Sequence, residues 1–184
     1  MDLESLKDML RQAFSRVEFP GNWCLIDTYE GVEPYQVRQE FSDKTDWRVL
    51  DYAFLEQAPA GESNALFYFS IEAFRFYLPA YLIADIDGGL SEVSPVFHLT
   101  NGLDDPARSE LVNPRRYGAR TRFEDAIHTF SVFDTAQVSA IVAYLELKRG
   151  TEEMVLEREY IDQALANYWK HRAIGPNASP DSSV

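Results

Sequence analysis

The stretch ALFYFSIEAFRFYLPAYLIADI, Ala65 to Ile86, holds seven aromatic residues and only three charges, Glu72, Arg75 and Asp85. Ser70 is placed to cap a helix, its hydroxyl accepting a backbone N–H one turn in. Ile71, Phe74, Leu78, Leu82 and Ile86 then recur at spacings of three and four, the helical period. Pro79 interrupts that pattern. It has no N–H for the carbonyl of Arg75, its ring crowds that carbonyl, and it disfavours helical geometry at Leu78. The segment therefore predicts two short helices, about 71–78 and 80–86, or one kinked helix. A membrane span needs roughly 20 apolar residues with few charges; Glu72, Arg75 and Pro79 inside the window argue against one. The aromatics read as core, since each buried ring removes a large apolar area from water. A base-stacking platform would want basic neighbours, and these are acidic. Arg75 reads as a stem lying along apolar surface with its head in water or on a local acid. Gripping a ligand carboxylate or a partner is the alternative.

Working outward, Leu3, Leu6, Leu10, Ala13, Phe14 and Val17 form one stripe of a helix over about 2–17, with charged residues opposite. Pro20-Gly21-Asn22 ends it as a turn. Pro34 suits the first turn of a helix at about 34–41, and Asp46 caps a short one at 47–55. Ala58 to Gly61 reads as a loop. The least periodic region, Gly88 to Gly118, is either a binding surface, since long loops in compact domains are often functional, or irregular structure with short helical turns. Asp134 and Gln137 have capping-box spacing for a helix whose buried face is Val138, Ile141, Val142 and Leu145. Lys148 and Arg149 suit its C-terminal dipole, and Gly150 a left-handed C′ position. A last helix, about 152–172 and capped by Thr151, carries the stripe Ile161, Ala164, Leu165, Tyr168 and Trp169. The expected fold is mainly α: a single compact helical domain of about five to seven helices over 1–174, with room for one short β-hairpin around 119–133. Residues 175–184 read as a disordered polar tail.

The run from Phe69 to Ile83, FSIEAFRFYLPAYLI, resembles the central S-x-E-A-F-R-F-Y-L-P-A-Y-L signature of an uncharacterised bacterial family of unknown-function proteins. Met1–Val17 is similar to that family's N-terminal helix, and Phe133–Leu145 to a later one. The family more often has proline after the central serine, where this chain has Ile71. The resemblance covers most of 1–172. It implies a fold and a compartment and carries no activity with it.

The chain has 184 residues, 46% of them hydrophobic and 14% aromatic, a globular composition. One cysteine, Cys24, excludes an internal disulfide framework and reads as a small buried hydrophobe. The acidic, amphipathic start MDLESLKDML does not read as a signal peptide. A cytoplasmic location is the expectation. The net charge of −13 is unevenly spread: residues 1–114 carry 20 acids and 8 bases, residues 115–184 carry 10 acids and 9 bases. A nucleic-acid binder needs cations to displace condensed counterions, and most of this chain has the opposite sign, which also repels anionic membrane. An acidic field attracts basic partners and speeds their docking, although solubility alone explains such a charge equally well.

Catalytic signatures are missing from the sequence: no Gly-rich phosphate loop, no His-Glu-x-x-His and no Gly-x-Ser-x-Gly occurs. Asp85-Ile-Asp87-Gly88 fails as a calcium loop, because Ile83 and Ser94 would fall at positions that need carboxylates. His98, His128 and His171 lack ligand-spaced neighbours. Asp104-Asp105 reads as a solvated pair rather than catalytic carboxylates. Arg115, Arg116, Arg120 and Arg122 read chiefly as partners for the protein's own acids, with an anion or RNA contact as the alternative. No cofactor, metal or enzymatic activity is expected. The function expected is that of an acidic interaction protein: a cytoplasmic immunity or inhibitor protein that blocks a basic toxin or effector, with Glu92, Asp104 and Asp105 set against the partner's cations. A structural or regulatory helical domain acting through self-association is the alternative, and an enzyme of unrecognised type the third reading. The oligomeric state does not follow from the sequence.

Overall fold

Ser70 starts the central helix as its chemistry requires: its Oγ accepts the N–H of Ala73 at 3.1 Å and donates to the Cys24 carbonyl at 2.5 Å. The structure is a computed structural model describing residues 2–28, 30–57 and 64–174. It is mainly α. The α-helices are α1 (Leu3–Ala13), α2 (Glu33–Phe41), α3 (Tyr52–Glu56), α4 (Ile71–Ile86), α5 (Pro95–Thr100), α6 (Pro114–Tyr117), α7 (Arg122–Phe130), α8 (Thr135–Arg149), α9 (Arg158–Ala164) and α10 (Lys170–Ile174). Among the described residues there is no strand; isolated antiparallel bridges pair Ile26 with Phe69 and Leu111 with Thr121. The contacts divide these residues into a unit ending at His98 and a unit beginning at Leu99. The loop expected at 58–61 and the tail at 175–184 lie outside the described residues. No single helix among the described residues is long and apolar enough to cross a membrane.

In the first unit α4 is one helix, not two. It runs through Pro79, with Ala73, Phe74 and every residue from Phe76 to Ala84 buried. A proline costs a helix the hydrogen bond of one carbonyl, and here burial of the flanking residues outweighs that loss. α1 and α3 pack on α4. Tyr77 is fully buried, and its hydroxyl donates to the carbonyls of Phe41 (3.3 Å) and Lys44 (2.8 Å), holding the end of α2. The expected helix at 47–55 is divided. Asp46 caps a 3-10 turn at Trp47–Val49, Leu50 turns extended (ψ 127°), and Asp51 caps α3 separately.

α1 begins at Asp2, whose carboxylate accepts the N–H of Ser5. Its buried face is Leu6, Lys7 and Leu10, while Leu3 is 48% exposed. Lys7 therefore sits on the face the sequence assigned to apolar residues. It is tolerated there because Asp87, at the end of α4, receives its ammonium at 2.7 Å and Glu4 receives it as well. A buried cation requires such partners. Tyr52 on α3 donates its hydroxyl to the same Asp87 carboxylate, so one acid ties three helices. Gly89 makes this possible: a Cβ there would stand 2.3 Å from Cδ2 of the Tyr52 ring.

In the second unit the stretch considered for a hairpin, 119–133, is instead α7. Thr121 and Glu124 form a full capping box, and Thr121 closes only the single bridge to Leu111. A reciprocal cap satisfies two orphan N–H groups at once, which favours the helix locally over a ladder. α8 has the expected box at Asp134 and Gln137. Its buried face includes Val138, Ile141, Tyr144 and Leu145; Val142 is half-buried. Gly150 is not left-handed (φ −80°): from right-handed geometry its N–H reaches the Leu147 carbonyl, and the N–H of Thr151 reaches that of Lys148, both at 3.0 Å. Thr151 does not cap a following helix; its Oγ1 donates back to the Lys148 carbonyl at 2.8 Å. The last helix thus begins late, at Arg158, and is interrupted by a π turn at Leu165–Trp169 before α10. The expected stripe of Ile161, Ala164, Leu165, Tyr168 and Trp169 is buried throughout. Trp169 donates its Nε1–H to the Leu99 carbonyl at 2.8 Å and packs against Phe130, with ring centroids 4.8 Å apart.

Candidate functional site

Glu92 is exposed on the segment that leaves α4, and its backbone is held rather than loose. One carboxylate oxygen of Glu56 accepts the N–H of Ser91 (2.8 Å), the hydroxyl of Ser91 and the N–H of Glu92 (2.7 Å). Burial pushes the Glu56 carboxyl up, but these hydrogen bonds outweigh it and hold the group below the usual glutamate range. In the second unit Asp104 is half-buried and Asp105 is exposed, with 73% of its side chain open. Asp105 is also anchored. Its N–H donates to Gln163 (2.8 Å), and its carboxylate accepts from Asn167 (3.0 Å), a residue of the π turn. Arg108 stands 3.9 Å away. Glu92 thus belongs to the first unit, and the adjacent Asp104 and Asp105 to the second.

The arginine cluster divides by role. Arg120 pairs with Asp125 at 3.1 Å, and Arg122 with Glu110 at 2.6 Å and Asn101 at 2.7 Å, the self-pairing expected of them. Arg115 and Arg116 are exposed on α6, and the Arg116 guanidinium lies 5.4 Å from the Tyr117 ring centroid. Arg75 is half-buried and has a partner within the chain.

Cys24 is half-buried rather than buried. Its Sγ lies 3.6 Å from Ser70 Oγ and 3.4 Å from Glu72 Oε2. Burial pushes its thiol up, away from the thiolate that nucleophilic chemistry needs. His128 and His171 are exposed. His98 sits edge-on to Phe67 (centroids 4.5 Å) and Phe97 (5.4 Å), with Nε2 sealed from water and lacking a hydrogen bond. Burial lowers its pKa to about 4. The unfolded chain, with histidine near 6.5, takes up that proton first. The linkage is therefore silent above pH 6.5 and costs stability as pH falls toward 4. Since the ring is half-buried, a loss of about 2 kcal/mol is expected over that window. Chemical denaturation at pH 7 and pH 4.5 checks it: His98→Leu should show a smaller acid loss than the parent, and an equal loss would refute the assignment.

An open groove of about 650 Å³ lies in the first unit. Gln36 and Glu40, one turn apart on α2, line it together with Phe54 on α3. Asp43 and Lys44, just beyond the C-terminus of α2, complete it. Lys44 pairs with Asp43 at 2.5 Å, and its ammonium lies 5.2 Å from the Phe54 ring centroid. The Lys44 contact holds the Asp43 carboxyl below its ordinary value. Sequence reasoning passed over these residues. The four-residue spacing of Gln36 and Glu40 was visible, but only the fold brings Phe54 into the same groove. Among the described residues no group of three or more His, Cys, Asp or Glu is placed to hold a metal ion.

These features define the class: a mainly helical, strongly acidic protein whose surface carboxylates stand on backbone held by hydrogen bonds. The chain belongs to the family of unknown function DUF6714, which matches residues 2–173. No curated protein and no solved structure matches it.

Proposed function

We propose that this is a non-enzymatic, cytoplasmic interaction protein that binds a basic toxin or effector and blocks it, as an immunity or inhibitor protein does. The observation that supports this reading best is the presentation of exposed carboxylates from anchored backbone: Glu92 beside the Glu56 clasp, and Asp105 tied to Gln163 and Asn167. Side chains on pre-ordered backbone lose less entropy when they dock. The net charge of −13 supplies the long-range attraction that speeds encounter with a basic partner. Self-association through the aromatic block finds little support, because α4 is buried along most of its length.

The direct test is affinity capture from the native cell at low and high salt. The expected result is one stoichiometric basic protein that elutes with salt and whose own activity falls when the purified chain is added. Recovery of nothing, or of the chain alone, overturns the reading. Replacing Glu92, Asp104 and Asp105 together with lysine is expected to leave the circular dichroism spectrum unchanged. It should slow association with that partner by roughly tenfold at low salt, where steering is strongest. An unchanged association rate removes these three residues from the interface.

A further inference from the structure

We infer that the groove between α2 and α3 is the socket for an arginine side chain of the basic partner, an inference that rests on the reading above and gives it a second, specific contact. Four independent features converge on a cation. Glu40 has no ion-pair partner among the described residues and lines the groove. The groove opens at the C-terminus of α2, the negative end of that helix's dipole. Phe54 offers an aromatic ring that already holds an ammonium, that of Lys44, at 5.2 Å. Gln36 Oε1 is enclosed without a hydrogen-bond partner, so turning that amide outward breaks no hydrogen bond and gains one if a donor is waiting.

Guanidinium fits this set better than ammonium. Its planar fork donates to two acceptors at once, here the Glu40 carboxylate and the Gln36 amide oxygen, while its face stacks on an aromatic ring. In the free protein Lys44 offsets only one of the two lining carboxylates, that of Asp43, and leaves the groove net negative. On docking its ammonium leaves the ring for solvent, while its backbone stays in place because the Tyr77 hydroxyl holds the Lys44 carbonyl at 2.8 Å.

The test is titration of the ¹⁵N-labelled full chain with tri-arginine, with tri-citrulline as the neutral isostere. Saturable shifts are expected at the amides of 36–44 and 54 and at the Gln36 side-chain amide, for tri-arginine only. Glu40→Gln with Asp43→Asn should weaken that binding about fivefold or more; Glu40→Gln alone serves should the pair disturb the fold. Glu92→Gln, Asp104→Asn and Asp105→Asn together should leave the groove shifts intact. Shifts confined to other acidic segments, equal shifts with tri-citrulline, or indifference to Glu40→Gln overturn the socket. The two readings fail separately. A captured basic partner whose affinity survives the groove substitutions removes the socket and leaves the function. A groove that takes tri-arginine in a chain with no cellular partner removes the function and leaves a cation site.

Discussion

Trp169→Ala is expected to cost about 3–5 kcal/mol, the range for deleting a large buried aromatic side chain, and to unfold much of the second unit at moderate temperature. Trp169 has no exposed surface. It packs against Phe130 and, with centroids 6.1 Å apart, Phe133, and its N–H is the donor to the Leu99 carbonyl. Alanine removes the ring contacts and the hydrogen bond together and leaves a cavity that the π turn at Leu165–Trp169 cannot close without moving. Trp169→Phe separates the two losses. It fills most of the space but leaves the Leu99 carbonyl unpaired, for about 1–3 kcal/mol. Urea denaturation followed by circular dichroism measures both. A midpoint for Trp169→Ala within experimental error of the parent would mean that this indole is not the centre of the second core. Typical domains have only about 5–15 kcal/mol in hand, so a loss of the expected size is hard to miss.

Tyr77→Ala is the counterpart in the first unit, with an expected cost of about 3–5 kcal/mol by the same reasoning. Its ring lies within 5 Å of those of Phe41, Phe69 and Phe76. Tyr77→Phe is the more informative change. It preserves the packing and removes only the hydroxyl, at about 1–2 kcal/mol, so the fold survives. What it loses is the tether on Phe41 and Lys44 at the end of α2. Hydrogen exchange at residues 41–45 should therefore accelerate in Tyr77→Phe while the rest of α4 stays protected. Unchanged exchange there would mean that the two carbonyls are held by other means. Because those residues also form the lip of the groove, tri-arginine should bind this variant more weakly than the parent.

What the sequence by itself determined is local. Helical class, the Ser70 and Asp134 caps and the buried stripe Ile161, Ala164, Leu165, Tyr168 and Trp169 depend on spacing and on side-chain-to-backbone hydrogen bonds over three or four residues, and those were readable. The expected likeness to an uncharacterised family agrees with the match over residues 2–173. Reading failed where a distant partner decided the outcome. Lys7 looked like a surface charge because Asp87, 80 residues away, is what makes its burial tolerable. Pro79 left two short helices and one helix through the proline both open, because the local cost was visible and the burial along α4 that keeps it one helix was not. Gly150 is the local exception: it looked like a left-handed cap because composition cannot say that Thr151, three residues after Lys148, turns back to the Lys148 carbonyl. For the candidate sites the division is the same. Exposed acids could be named from charge alone. That Glu56 clasps the segment bearing Glu92, that Asn167 holds Asp105, and that Phe54 lines one groove with Gln36 and Glu40 are facts of tertiary structure. They bring together residues whose separation in the chain exceeds the reach of any helical or strand period, and only the packed core sets that distance.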